Sequence, residues 1–367
     1  MQRALALAAA AAALSLPALD AAGQVVLSGT VDVAVRQVRN AGLGSVTSEV
    51  SGSNATSKLV IRGNEDLGGG LSASFYLDGT LMGDSGAVNT PFWDRRATVS
   101  LADRQLGELR LGRDWSPTHL LWTAIDPFIT LGIASANTFR STFSSRALGQ
   151  AFGATAEASQ LNPTLRIANT AQYWLPGGLG GVYGQLIASA GEGGNAAAGQ
   201  ARGDGLRFGW ANKDINVGFA QFTTRNANGN HAFQDQVWGA SWDFGFARAS
   251  IGQRRWTYGT DRTTNTLLGL AIPTGIAGTL KFSVMRADQS GATSALSAND
   301  ATLLGAGYVY NLSKITAVYA HVARISNRGG AAFAIPGGPA TSGLPTAANY
   351  FGGRTSHGFE AGIRHDF

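Results

Sequence analysis

Cysteine is absent from this chain of 367 residues, charged residues are scarce, and apolar runs of membrane-spanning length are missing beyond the N-terminus. Without cysteine, an exported form of the chain cannot depend on disulfides. No later stretch approaches the ~18–20 consecutive apolar residues that a transmembrane helix needs. Charged residues make up 14% of the chain, whereas soluble domains average about 25%. The composition therefore fits neither a helical membrane protein nor an ordinary soluble domain.

Lysine is also rare, since only four of the 28 basic residues are lysines and the arginines are scattered along the chain. The basic pI of about 9.7 would suit a nucleic-acid-binding protein, but no Lys/Arg run or recognised nucleic-acid motif is present. We therefore expect no nucleic-acid partner. Arginine is always charged and binds carboxylates and phosphates in a fixed geometry, so the pattern favours an arginine-lined passage.

The N-terminus has the regions of a secretory signal. A short basic start precedes an apolar run at residues 4–13, and small residues follow it. We expect a signal peptide at residues 1–22, cleaved after Ala22 or Gly23. The remaining residues, 23–367, contain no linker and are expected to form one domain.

Apolar and polar residues alternate through much of the remaining chain. In residues 25–36, for example, Val31, Val33 and Val35 fall on one face and Asp32 on the other. Alternation over about ten residues between Gly, Asn or Asp turns predicts β-strands. The same pattern recurs in residues 57–67, 71–78, 95–103 and 108–114.

The connections alternate between short turns and long polar loops, which is typical of an outer-membrane barrel with periplasmic turns and extracellular loops. The segments from Val25 to Phe367 number about 16, and the fold class is therefore an all-β transmembrane antiparallel barrel wide enough for an aqueous lumen. The C-terminal HGFEAGIRHDF is expected to be the closing strand, paired with the first strand so that no edge remains. The long loops are expected at Asn40–Asn54, Leu81–Asn89, Ser189–Gly203, Asn226–His231, Ala287–Asn299 and Asn327–Arg354.

Several segments resemble one family over essentially the whole mature sequence. They are VVLSGTVDVAV at the start, VIRGNEDLGGGLSASFYLD (60–78), RRATVSLADRQLGELRLGRDWSP (95–117), AIDPF (124–128), RIANTAQYWLP (166–176), GAGYVYNLSKITAVYAHVARISN (305–327) and EAGIRHDF (360–367). Together they resemble the general trimeric porins of beta-proteobacteria, of the neisserial, Bordetella and Burkholderia type. The chain departs from that pattern between Asp126 and Arg166, where it is longer and richer in Ala and Ser.

The resemblance implies an outer-membrane homotrimer of a Gram-negative bacterium that lets ions and small hydrophilic solutes diffuse passively through a water-filled channel. It also implies that the connection Ser116–Leu161 folds into the lumen and narrows it, and that the barrel-assembly machinery recognises the terminal Phe367. Apart from the resemblance, Ser116–Leu161 is the longest early connection, and it joins two segments with clear strand periodicity. Loops of that length are usually functional or disordered. A weaker hint of close protomer contact comes from small residues on the outward face, namely Gly29, Gly63, Ala73 and Ala97.

Charged side chains around the constriction set the ion preference of such a channel. Strand parity, with Asp126 added from the inserted connection, gives these pore-lining candidates: Arg36, Lys58, Arg62, Asp78, Arg96, Arg110, Asp126 and Arg166. Basic candidates outnumber acidic ones, so we predict weak to moderate anion selectivity. The alternative for each arginine is a structural ion pair, for example between Arg96 and Asp94.

Two other functions remain open at this point. One is a channel specific for a small anionic solute, and the other is a barrel hydrolase of the outer membrane. The five histidines form no metal spacing such as HExxH, and no GxSxG or Walker A sequence occurs. We therefore expect no enzymatic activity, no metal and no cofactor.

Overall fold

The computed structural model describes residues 24–142, 144–153, 162–191, 202–225, 231–339 and 352–367. The expected signal peptide lies outside the described residues, as do parts of the expected long loops that begin at Ser189, Asn226 and Asn327.

The described residues form a single antiparallel sheet of 17 strands, in which consecutive strands pair with each other except β2 and β3. The strands are β1 (Gln24–Asn40), β2 (Gly44–Ser51), β3 (Lys58–Gly68), β4 (Leu71–Thr80), β5 (Arg96–Asp103), β6 (Gly107–Trp115), β7 (Arg166–Trp174), β8 (Val182–Ser189), β9 (Gly203–Ala211), β10 (Ile215–Arg225), β11 (Ala232–Asp243), β12 (Arg248–Tyr258), β13 (Asp261–Thr274), β14 (Gly278–Ser290), β15 (Ala301–Asn311), β16 (Thr316–Asn327) and β17 (Thr355–Asp366).

The strand count matches the prediction once β2 and β3 are recognised as two halves of one barrel strand. Both halves pair with β1, because β3 pairs with Gln24–Thr30 and β2 with Val33–Asn40. The barrel therefore has 16 strands and one interruption, at residues 52–57. The predicted long loop Asn40–Asn54 is wrong, because β1 continues to Asn40 and a tight turn leads directly into β2.

A buried carboxylate holds the interruption in place. Asp32 accepts hydrogen bonds from the backbone N–H groups of Asn54, at 2.9 Å, and Ala55, at 2.6 Å. It also accepts one from the hydroxyl of Tyr319 on β16. Hydrogen bonds to an ionised acceptor are stronger than neutral ones, so one side chain can replace the pairing that the broken strand gives up.

Closure of the barrel joins β17 to β1, as predicted for the C-terminal strand. The register runs from Thr30 opposite Asp366 to Asn40 opposite Ser356. The terminal Phe367 extends this pairing, because its carbonyl oxygen accepts the N–H of Gly29 at 2.9 Å. Its ring packs over Gly29, where a side chain would collide with it.

The two faces of the sheet differ as a lipid-embedded barrel requires. In β1, Val31 is 41% exposed and Val35 is 58% exposed, whereas Asp32 is fully buried. The same alternation leaves large apolar side chains exposed on the outer face of nearly every strand. Such an apolar outer band is what acyl chains solvate, and the polar face is turned to the interior.

Short helices lie within two of the connections. The connection from β6 to β7 contains α1 (Pro117–Ile125), a 3-10 turn (Ala136–Phe139) and α2 (Arg146–Phe152), and α3 (Ser294–Ser297) follows β14. The side chain of Ser116 caps α1 by accepting the N–H of His119, and Pro117 occupies the first turn, a position where its missing N–H costs nothing. Among the described residues, no helix is long and apolar enough to cross a membrane.

Candidate functional site

The connection from β6 to β7 folds into the barrel, as expected for Ser116–Leu161; residues 154–161 lie outside the described part of the chain. The helix α1 contacts β9 to β12, and α2 contacts β12 and β13. The side chains of Trp122, Phe128 and Ile133 are almost fully buried between this inserted segment and the wall. The interior of the barrel therefore contains a packed apolar core on one side.

A row of small inward-facing residues provides the surface on which the inserted segment packs. The row runs across successive strands through paired positions: Gly218 with Gly239, Gly239 with Gly252, Ser250 with Gly269, Gly269 with Ser283, Ser283 with Gly305, Gly305 with Ala323, and Ala323 with Gly358. A Cβ on Gly269 would lie 2.5 Å from the ring of Pro127, and one on Gly305 would lie 2.7 Å from Ala134. Glycine is required here because the two backbones approach each other closely.

Two buried carboxylates fix the path of the inserted segment. Asp126 accepts the N–H groups of Phe128, Thr130 and Ala136 at 2.8–3.0 Å. Burial raises the pKa of Asp126, and these three hydrogen bonds oppose the rise. Glu360 of β17 accepts the N–H of Ile133 at 3.2 Å. The segment is therefore held both by its own turn and by the closing strand.

The same side of the barrel contains an ion pair that is sealed from solvent. Arg254 and Asp235 are each almost fully buried and lie 2.6 Å apart. Arg254 also donates to the carbonyl oxygen of Thr164 at 2.6 Å, and Asp235 accepts the hydroxyl of Thr118 at 2.6 Å. Burial, with Arg254 nearby, holds the pKa of His119 well below its usual range, so its imidazole is neutral.

Because the segment packs mainly on the inner faces of β10 to β17, the remaining lumen lies in front of β3 to β9. Arginines on that wall stack on inward-facing aromatic rings. The guanidinium of Arg96 lies 4.3 Å from the ring centre of Tyr76, and that of Arg110 lies 4.4 Å from Trp174. Arg207 lies 5.2 Å from the same tryptophan. Cation–π contacts of this kind hold a guanidinium in position without neutralising it.

The predicted site residues fall into two groups. Arg62, Arg96 and Arg110 lie on the wall that faces the open lumen, with Arg62 paired in register to Tyr76. Lys58 shares the strand and the parity of Arg62 and lies at the beginning of β3. Arg166 stacks on Trp115 at 4.1 Å, where the chain enters and leaves the inserted segment.

The other predicted residues serve packing. Arg36 pairs with Glu360 at 2.7 Å beside the inserted segment, and Asp78 pairs with Arg95 at 3.0 Å. Asp126 forms the turn described above. The sequence suggests Asp94 as the partner of Arg96, but the structure places Asp114 there instead, at 3.7 Å.

The arginines of the open wall differ in whether they form ion pairs. Arg110 binds Glu108 at 2.8 Å and Asp114 at 2.7 Å. Within the described part of the chain, neither Arg62 nor Arg207 forms an ion pair. Sequence reasoning missed Arg207, although strand parity in β9 turns it inward between the exposed Phe208 and its neighbour Leu206.

Comparisons with known proteins agree with this geometry. A family model described as Gram-negative porin matches residues 4–330. Outer membrane porin protein 32 of Delftia acidovorans is 34% identical over 361 residues, which cover 95% of either chain. The solved structure of an anion-selective porin from Comamonas acidovorans is 30% identical and superposes with a TM-score of 0.77 over 94% of this chain and all of that one. OmpF of Salmonella typhi, at 12% identity and a TM-score of 0.64 over 95% of this chain and 99% of its own, shares the fold.

The row of small inward-facing residues allows a test of how the inserted segment is held against the wall. In a Gly269→Ala variant, the new methyl group meets the rigid ring of Pro127. Overpacking of this kind should lower the free energy of unfolding by about 1–3 kcal/mol, measured by urea titration in lipid vesicles. A second substitution, Pro127→Ala, should recover most of the loss. Gly177→Ala is the control, because no atom lies near its Cβ position; equal tolerance of both alanines would show that the close contact is unimportant.

Proposed function

The chain belongs to the Gram-negative porin family and lies in the outer membrane, and we propose that its channel favours small hydrophilic anions over cations. The observation that carries this proposal is the uneven pairing on the open wall. Glu108 and Asp114 are bound to Arg110, and Asp78 is bound to Arg95. The guanidinium groups of Arg62 and Arg207 face the same lumen without a carboxylate partner in the described residues.

Fixed positive charge in a narrow passage with protein walls raises the local concentration of anions. The aromatic rings beneath the arginines strengthen this effect, because they anchor the cation and leave its N–H groups free to meet a passing anion. The Comamonas relative is an anion-selective porin, which supports the same preference here. At 30% sequence identity, that relative supports the preference for anions, and the variants described below test which arginines of this chain produce it.

We propose that the selectivity residues are Arg62 and Arg207, with Lys58 and Arg166 contributing at the rim of the opening. Arg96 and Arg110 also line the lumen, but their carboxylate partners offset much of their charge. Arg36, Asp78 and Asp126 then act by holding the wall and the inserted segment in place. The division follows from pairing: a charge that is neutralised by a buried partner adds little to the potential in the lumen.

A double variant, Arg62→Gln/Arg207→Gln, removes two cations that form no ion pair in the described part of the chain and leaves the paired Arg96 and Arg110 intact. Arg96 is retained because its removal would leave Asp114 with one partner fewer. We expect the permeability ratio of chloride to potassium to fall about twofold or more, seen as a reversal potential closer to zero under a KCl gradient in planar bilayers. Concentration-dependent block by one anion would instead indicate a channel specific for that solute.

The matched control for this experiment is Arg104→Gln/Lys213→Gln, which removes two exposed cations from short turns outside the lumen. Its reversal potential should stay near that of the wild type. If the Arg62→Gln/Arg207→Gln variant keeps the wild-type reversal potential, the site assignment is wrong, whereas a wild-type channel that prefers potassium would overturn the proposed function itself.

We further propose that residues 1–22 are removed on export, that Phe367 is read by the barrel-assembly machinery, and that three copies assemble. The contact of the Phe367 ring with Gly29 supports a terminal residue that is sensed at closure. Of the small outward residues, Gly29 and Gly63 lie beneath aromatic rings of the same chain, so only Ala73 and Ala97 support a close protomer contact.

One measurement addresses processing and assembly together. Native mass spectrometry of protein extracted from outer membranes should give a mature chain that starts at Gly23 or Gln24, and a complex of three copies. A variant that lacks Phe367 should reach the outer membrane in much smaller amounts, with its unassembled form in the periplasm. Normal amounts of assembled variant would contradict the role of Phe367, and a complex of another size would contradict the trimer.

A further inference from the structure

The closing seam of the barrel, where β1 pairs with β17, contains a charged pair that does more than join two strands. Arg36 and Glu360 are paired in register across the seam, although they lie 324 positions apart in the chain. Their side chains form a buried ion pair of 2.7 Å that faces the interior. The two residues come together only when the two ends of the sheet meet.

Each member of this pair also holds a segment that comes from elsewhere in the chain. Glu360 accepts the backbone N–H of Ile133, in the inserted segment, at 3.2 Å. Arg36 donates to the hydroxyl of Ser53 at 3.0 Å and to the carbonyl oxygen of Pro336 at 3.3 Å. The pair therefore joins the inserted segment, the strand interruption at residues 52–57 and the connection from β16 to β17.

The inserted segment meets the pair at a point where its backbone comes very close to the wall. A Cβ on Gly132 would lie 2.5 Å from Oε1 of Glu360 and 2.6 Å from the carbonyl oxygen of Ser53. Its φ of +70° is also one that side chains rarely adopt. The next residue, Ile133, is fully buried, and a buried backbone N–H needs a hydrogen-bond partner. The carboxylate of Glu360 is that partner.

A second seam pair anchors the connection from β16 to β17 in the same way. Asn40 and Ser356 are paired in register, and the Ser356 hydroxyl donates to the Asn40 side chain at 2.7 Å. Ser356 also accepts the backbone N–H of Ile335 at 3.1 Å. Further along the same connection, the ring of Phe333 packs 4.9 Å from that of Phe139 in the inserted segment. The seam therefore holds the inserted segment both directly and through this connection.

The charge of Glu360 determines when this contact can form. The carboxylate is fully buried, and burying a charge is costly unless a partner of opposite charge accompanies it. His321, whose Nδ1 lies 2.9 Å from Glu360, is on the neighbouring β16 and is beside it before closure. Arg36 joins them only when β1 pairs with β17. Until then, Glu360 lies at an open edge of the sheet, where water solvates it.

We propose that the pair of Arg36 and Glu360 couples closure of the barrel to docking of the segment that narrows its lumen. When β1 meets β17, the guanidinium neutralises the carboxylate, which then lies in the packed interior and accepts the N–H of Ile133. The inserted segment is thereby fixed at its final distance from the open wall. Closure thus completes the constriction, and a barrel that closes without this contact has a wider opening.

The order of the two events can be followed during refolding, because the chain contains no cysteine. Ser135→Cys introduces a single thiol into the inserted segment, at a position that is 1% exposed. The mature protein is refolded from urea into phosphatidylcholine vesicles. Closure is measured as resistance to unfolding in cold SDS, and docking as protection of the thiol from a maleimide. Protection should appear together with closure or after it, and protection before closure would overturn the proposal.

A substitution at the pair tests the same coupling in the closed barrel. Glu360→Gln keeps the shape of the side chain and removes its charge. Labelling of the thiol at position 135 should then become about tenfold faster or more, and the single-channel conductance should rise. The matched control is Thr30→Val, which removes a seam hydrogen bond of 2.7 Å to Asp366 that joins only β1 and β17. The control should keep the protection and the conductance of the wild type.

A third variant keeps the test decisive if Glu360→Gln fails to close. Gly132→Ala leaves the seam pair unchanged but places a methyl group against Glu360, so this barrel should close at the wild-type rate with the thiol reactive. Delayed closure of Gly132→Ala would show that the segment docks first, which contradicts the proposal. A closed Glu360→Gln barrel with a protected thiol, or equal loss of protection in Thr30→Val, would show that the charged pair has no special role.

Discussion

The structure depends on one constraint, that every backbone N–H and C=O group inside a bilayer must be paired within the protein. The pairing of β17 with β1 meets this constraint by leaving no free edge, and the backbone of Phe367 continues it to the end of the chain. Even the interrupted strand obeys it, because the carboxylate of Asp32 binds the N–H groups that β1 cannot reach. Closure in turn encloses a polar interior in which a long connection can fold.

The packing of that connection determines which side of the lumen stays open. Small inward residues on β10 to β17 let the inserted segment approach the wall, so the lumen remains open on the opposite side. Beside the segment, Arg254 and Asp235 are sealed as a pair. On the open wall, Asp78, Glu108 and Asp114 are paired with arginines, whereas Arg62 and Arg207 form no ion pair in the described part of the chain. This arrangement links the glycine content of the sequence to the proposed ion preference.

The sequence predicted the strands, the closing pair and the inward placement of Arg62, Arg96 and Arg110, because two-residue periodicity reports directly which face a side chain occupies. It could not predict the pairing of Arg36 with Glu360, since these residues lie 324 positions apart and meet only when the barrel closes. Residues 52–57 resemble an ordinary polar loop, and only the shared partner β1 shows that they interrupt one strand. Trp256 and Tyr258 lie near a strand end, as interfacial aromatics would, yet they pack inside against α2, because an inserted segment provides an interior apolar surface that periodicity does not reveal.

Anomalous diffraction from crystals soaked in bromide most directly tests the claim that unpaired arginines on the open wall concentrate anions. Bromide should occupy sites in the lumen beside Arg62 and Arg207, with no site beside the paired Arg36 or Arg254. Bromide found only at the outer loops, or next to the sealed pairs, would contradict this assignment of charge to the lumen.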